Sequence, residues 1–257
     1  MAPVFVNDPA DIPYELVVSA RAKRAILRIV PGRGLVVSIP KGFSQSEVTR
    51  FIARHRQWIV SSLAELDAAT PAGYRQWPPR RLHLTAMQTD VDIFYIEDKG
   101  AVLHQGTETI ARTSPGIDIN KRPLQMTVSA GEQDKSAVAK EISLQLKHIA
   151  RTFLPPLLAS YAHLHSKQYS KVSIRGQRTV WGSYSSSGTL SLNYKLLFLR
   201  RELVDYVLLH ELAHTVHLDH SAAFWAQLQS MNVKARALDR ELRTSAHLVP
   251  PWLELAR

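Results

Sequence analysis

Apolar residues along the chain fall into two kinds of spacing. Short runs rich in Val, Ile and Leu come first: Tyr14 to Val18, Ala25 to Val30 and Leu35 to Ile39. They predict three strands, the last two separated by the turn Pro31-Gly32-Arg33-Gly34. The spacing then widens to three and four, with Val48, Phe51, Ile52, Ile59, Leu63 and Leu66 forming one stripe of a long helix. Ser44 followed three residues later by Glu47 is a capping box, so this helix is predicted over about 44–66. Pro71, Gly73, Pro78 and Pro79 break the pattern. Strand-like runs resume at Leu82 to Met87, Val91 to Ile96, Thr109 to Arg112 and Leu124 to Val128, with turns at Asp98-Lys99-Gly100 and Pro115-Gly116. These predict a small β module beside the first strands.

From Ser136 the helical period returns in Val138, Ile142, Leu146, Ile149 and Phe153. Pro155-Pro156 predicts a break or kink, with helix continuing over Leu157 to His165. Lys171 to Ile174, Val180 to Tyr184 and Leu190 to Asn193 read as strands. Ser186-Ser187-Gly188 makes a hairpin of the last two. Leu203 to Leu209 is apolar almost all round, as a buried helix is. Ser221 is an N-cap for a helix starting at Ala222, and Ala235 to Leu242 gives one more. Residues 1–13 carry little pattern, and Pro250-Pro251 closes the fold. The expected class is α+β. Residues 1–130 form a mixed, mostly antiparallel β-rich part with one long helix, and residues 131–257 a mainly helical part with a short β-hairpin.

The chemistry concentrates in His210-Glu211-Leu212-Ala213-His214. On a helix His210 and His214 lie one turn apart on one face, where two neutral imidazoles can ligate zinc. Glu211 sits about 100° further round, placed to act as base toward an attacking water. This is the H-E-x-x-H arrangement of zinc-dependent hydrolases. A catalytic zinc site takes three protein ligands and leaves one position open. His217 could supply the third ligand if the helix continued, and His220 if it ended first. Asp219 tolerates a left-handed conformation and Ser221 starts a new helix, so His220 is favoured, with His217 at the rim of the site. His83 and His104 are isolated. His163 and His165 are two apart and cannot share a helix face.

The run from Trp181 to Trp225 resembles the YgjP-like metallopeptidase family, related to the WLM and SprT-type zincins. That family's pattern runs W-G-S-C, a strand ending in Asn, D-Y-V-x-x-H-E-L-x-H, then N-H-S-x-x-F-W. Here stand Trp181-Gly182-Ser183, Asn193, Asp205-Tyr206-Val207, the histidine box and His220-Ser221-Ala222-Ala223-Phe224-Trp225. Tyr184 replaces the usual Cys and Asp219 the usual Asn. The three-strand-and-helix opening, with Trp58-Ile59, also resembles the family layout. The resemblance implies a zincin-like catalytic part over 131–257. It further implies Zn2+ held by His210, His214 and His220, Glu211 as general base, and a protein or peptide substrate. An edge strand beside the active-site helix would take the peptide, with Trp181, Gly182, Ser183 and Tyr184 lining the cleft. Tyr184 could donate a hydrogen bond to a developing oxyanion.

Composition narrows the rest. The chain has 257 residues and no cysteine, which removes disulfides and thiolate ligands. No apolar run approaches a membrane span, and the N-terminus lacks the charge and apolar core of a signal peptide, so a cytoplasmic location is expected. The net charge of +10 would favour nucleic acid or another polyanion as partner. Arg21, Lys23, Arg24 and Arg28 cluster near the second strand, where they could bind phosphate or form a solvated face. Two rival functions follow: a metal-dependent nucleotide phosphohydrolase, and a non-catalytic zinc-containing nucleic-acid-binding module. No P-loop or acidic magnesium cluster accompanies the first.

Overall fold

The computed structural model describes residues 4–7, 12–96, 117–118 and 123–256. It is a mixed α and β structure, and its contacts divide the chain into a unit over Met1–Arg75 and another over Gln76–Arg257.

The first unit holds strands β1 (Val4–Asn7), β2 (Pro13–Val18), β3 (Ile26–Val30) and β4 (Gly34–Ile39) in the order β1-β2-β4-β3. β2 and β4 pair in parallel at the centre, and β1 and β3 add antiparallel at the edges. Leu35, Val36, Val37 and Ile39 are all buried, because a strand covered on both faces reads as a continuous apolar run. Tyr14, Leu35, Val37 and Ile39 pack with Val48, Ile52 and Ile59 in one core. Glu15 is buried and accepts a two-pronged contact from Arg33. Arg28 is partly used within the sheet, donating to Ser38 Oγ at 3.0 Å.

The capping box is formed: Ser44 N donates to Glu47 Oε2 at 2.8 Å and Glu47 N to Ser44 Oγ at 3.3 Å. The single helix expected over 44–66 is instead two, α1 (Gln45–Arg54) and α2 (Arg56–Ala69). His55 sits between them at φ −106° and ψ 13°, and its Nδ1 donates to the Phe51 carbonyl at 2.8 Å. The apolar stripe does not register this, since Ile52 and Ile59 are buried on both sides of the break.

In the second unit, β5 (Arg81–Leu84), β6 (Thr89–Tyr95), β7 (Ile117–Asp118) and β8 (Leu124–Val128) form a sheet ordered β5-β6-β8-β7. The strand expected at Thr109 to Arg112, both turns proposed near it, and His104 lie outside the described residues. β8 alternates between buried and partly buried positions, so Leu124, Met126 and Val128 share one face. Helix α3 (Lys135–Leu164) packs against this sheet. Gln145 Nε2 donates to the Thr127 carbonyl at 2.7 Å, and the Glu141 carboxylate accepts from the Ser129 and Ala130 amides. These contacts group the middle strands with α3 in one unit.

Of the break or kink expected at Pro155-Pro156, the break does not occur: α3 runs through both prolines. An interior proline costs about 3 kcal/mol, and burial of Leu154, Leu158 and Ala162 around the pair opposes that cost. A third sheet follows, ordered β10-β11-β9, from β9 (Lys171–Arg175), β10 (Gly182–Tyr184) and β11 (Thr189–Asn193). β10 and β11 are the expected hairpin, turned at Gly188 with φ 78°. α4 (Arg201–Ala213), α5 (Ala222–Met231) and α6 (Ala235–Leu242) complete the unit. Near the end Lys195 is 8% exposed and pairs with Glu254, which also faces Arg178 at 3.7 Å. Among the described residues no helix is long and apolar enough to cross a membrane.

Candidate metal centre

α4 is buried on most sides, with its Leu203, Val204, Tyr206, Val207, Leu208, Leu209 and Leu212 all in the interior. This holds His210 and Glu211 in fixed positions. The helix ends at Ala213, before His220 as expected, although Asp219 does not take the left-handed conformation that would have eased the turn. Successive tight turns do the work instead: Thr215 N reaches Leu212 O, and Val216 N and His217 N both reach Ala213 O. The chain then passes to Ser221, whose Oγ caps α5 at Phe224 N. His220 is thereby carried back toward α4.

His210, His214 and His220 each offer a nitrogen, all within 4.8 Å of one another. His210 Nε2 lies 3.2 Å from His214 Nε2 and 3.0 Å from His220 Nε2. Four ligands about 2.05 Å from a tetrahedral zinc would be about 3.3 Å apart, so the observed spacing is close to what a metal needs. His217 is not in the cluster. Its carbonyl accepts a 2.8 Å hydrogen bond from His214 Nδ1. A carbonyl oxygen only accepts, so Nδ1 of His214 carries the proton and Nε2 presents a lone pair.

Phe224, fully buried, lies under all three rings, with centroids 5.0 Å from His210, 4.6 Å from His214 and 4.8 Å from His220. Burial, aided by the charges of His214 and His220, pushes His210 down to about 4. Burial also lowers His214. Both imidazoles are therefore neutral at pH 7, the form that ligates metals. Lone pairs brought this close repel unless a cation lies among them, so the donor set fits a divalent ion.

Glu211 is 5% exposed, and burial pushes its carboxyl up to about 8. Its Oε2 is buried and lacks a hydrogen-bond partner. A buried carboxylate oxygen without a partner is costly, and groups perturbed in this way cluster at functional sites. Gly182 of β10 explains how the carboxylate fits. A Cβ there would fall 2.6 Å from Glu211 Oε1, so only glycine leaves room.

Of the other expected cleft residues, Trp181 accepts from the Asn193 amide through its carbonyl at 2.9 Å, and Ser183 Oγ accepts from Gln177 Nε2 at 3.3 Å. Asn193 pins the loop before β10 by donating to the Gln177 and Val180 carbonyls. Ser183 and Tyr184 line a polar groove of about 350 Å³ together with Arg175, Gln177 and Ser191.

Sequence reasoning quoted Phe224 as a motif letter without a role. It also missed Asp239, whose Oδ1 accepts from Tyr206 at 3.0 Å. Tyr206, one turn before His210, was visible as its neighbour. Nothing local to Asp239 marks it.

Three convergent imidazoles beside a buried glutamate are a donor set that could hold a metal ion, and the match to a family model makes the chain a metallopeptidase, a hydrolase acting on proteins or peptides. The chain belongs to the family described as YgjP-like, metallopeptidase domain, which matches residues 23–245. Membership implies a divalent metal. Two solved structures are similar over part of the chain. The metallopeptidase zymogen abylysin of Pyrococcus abyssi is 26% identical, covering 36% of this chain and 94% of its own, with a TM-score of 0.33. The zymogen jannalysin of Methanocaldococcus jannaschii is 19% identical, covering 36% and 95%, with a TM-score of 0.33. No curated protein matches the chain. These findings favour neither the phosphohydrolase nor the nucleic-acid module.

Proposed function

We propose that the chain is a zinc-dependent metallopeptidase with His210, His214 and His220 as ligands and Glu211 as general base. The observation that carries this reading is the convergence of three imidazole nitrogens next to a buried carboxylate with an unpartnered oxygen. Zinc, when bound, supplies an acidified water and polarises the scissile carbonyl. Glu211 takes the proton as water attacks the carbonyl carbon, and returns it to the leaving amine as the C–N bond breaks. Phe224 keeps bulk water from the back of the imidazoles. Among the described residues β10 is an edge strand of its sheet, a position that suits pairing with an extended peptide. Trp181 to Tyr184 would then form the wall of the cleft.

Metal content per chain, measured by elemental analysis on protein purified without added metal, tests the ligand set. About one zinc is expected in wild type and in His217→Ala, and a sharp loss in His220→Ala. Glu211→Gln should keep the metal and lower peptide hydrolysis by roughly 10²–10⁴-fold. Metal loss in His217→Ala alone would overturn the geometry.

A further inference from the structure

The histidine ligands of a metal usually donate their second ring nitrogen to a group that fixes their orientation. His214 does so to the His217 carbonyl. His210 has a less usual partner: its Nδ1 lies 3.2 Å from the Tyr206 hydroxyl. That hydroxyl also lies 3.0 Å from Asp239 Oδ1, on α6. Arg243 in turn donates to Asp239 Oδ2 from Nη2 at 2.7 Å and Nε at 3.1 Å.

Counting protons sets the direction of this chain. Arg243 has only donors. The Asp239 carboxylate, held ionised by Arg243 and Tyr206 against the pull of burial, only accepts. The phenol of Tyr206 has one proton to give. Asp239 takes that proton, so the phenol oxygen must accept from His210. His210 Nδ1 is therefore the donor, and its Nε2 is left as a bare lone pair facing His214 and His220.

We infer that Asp239 and Tyr206 form a positioning relay that fixes the tautomer and ring plane of His210 for metal binding. The inference rests on the reading of His210 as a ligand. Neither residue touches the reacting atoms. Asp239 acts through the phenol, and the phenol acts through the imidazole. With Phe in place of Tyr206 the imidazole keeps its site but loses the acceptor that selects its tautomer. With Asn in place of Asp239 the amide can offer a proton to the phenol oxygen, which then competes with His210.

The test is metal affinity, measured by chelator competition with Co2+ and read from its visible absorption bands. The proteins are the full chain as wild type, Tyr206→Phe, Asp239→Asn, the double variant and Asp205→Asn. Tyr206→Phe and Asp239→Asn should each weaken Co2+ binding by about 10–100-fold and alter the band shape. The double variant should be little worse than the weaker single, because both act on one imidazole. Asp205 adjoins Tyr206 but pairs with Arg201, so its variant should bind like wild type. Affinity within threefold of wild type for both Tyr206→Phe and Asp239→Asn would overturn the relay. So would additive losses in the double variant. A wild-type protein that binds no Co2+, or a His210→Ala variant that binds as tightly, would instead overturn the ligand assignment.

Discussion

Alanine in place of Gly182 tests the closest contact at the site. The new Cβ would lie 2.6 Å from Glu211 Oε1, 2.8 Å from its Cγ and 2.9 Å from its Cδ. Ordinary contact begins near 3.4 Å, so the carboxylate would have to retreat by about 0.5–0.8 Å. It has little room to do so. All three atoms belong to one buried side chain, and Leu212 and Ala213 beside it are fully buried. Overpacking of this kind costs about 1–3 kcal/mol, and moving a reacting group by about 1 Å can cost on the order of 10²-fold in rate. The measurement pairs kcat/KM on a quenched fluorescent peptide pool with urea denaturation and metal content. Gly182→Ala should keep its metal, because no imidazole is touched. It should lose roughly 10–100-fold in turnover and about 1–3 kcal/mol in stability. Wild-type turnover together with wild-type stability would refute the argument, since it would mean that Glu211 is not held against β10.

Three further outcomes follow from buried ionisable groups. In metal-free protein Glu211 has its folded pKa near 8, above its ordinary value of 4.5, so the unfolded state releases the proton first and stability falls as pH rises between these values. Urea melts should show a loss of a few kcal/mol over that window, smaller in Glu211→Gln; equal losses in both proteins would contradict it. His210, lowered from 6.5 to about 4, works the other way, and its contribution is lost as pH falls through that range. Lys195→Met should destabilise the fold by about 2–3 kcal/mol, because it strands the Glu254 carboxylate with only the more distant Arg178. A change below about 0.5 kcal/mol in denaturant melts would show the pair to be dispensable.

The parts of this fold that were legible in the sequence are those decided by neighbours along the chain. The continuous apolar run of β4, the Ser44–Glu47 box, the β10–β11 hairpin and the bounds of α6 all rest on local spacing or turn chemistry. The rest was decided by tertiary contacts. The stripe from Val48 to Leu66 is compatible with one helix or two, and the chain forms two, with the His55 ring bonded to the Phe51 carbonyl at the break. The prolines of α3 carry a strong local signal for a break, which burial of Leu154 and Leu158 overrides. At the site, the histidine box and His220 stand within eleven residues and could be read directly. The reason for glycine at 182 could not, because the group it makes room for is on another element. Asp239 was hidden for the same reason.

The dependence of His210 on α6 has a consequence for how the protein matures. All three imidazoles are synthesised before Asp239, and at about 5–20 residues per second the interval is on the order of seconds. Until α6 docks, His210 has its phenol partner but not the carboxylate that orients it. Glu241 of α6 also grips Arg200 at the head of α4, so one short helix holds the active-site helix at its start and at Tyr206 in its middle. A nascent chain would therefore hold metal loosely and hydrolyse poorly, and tight metal capture would mark completion of the fold.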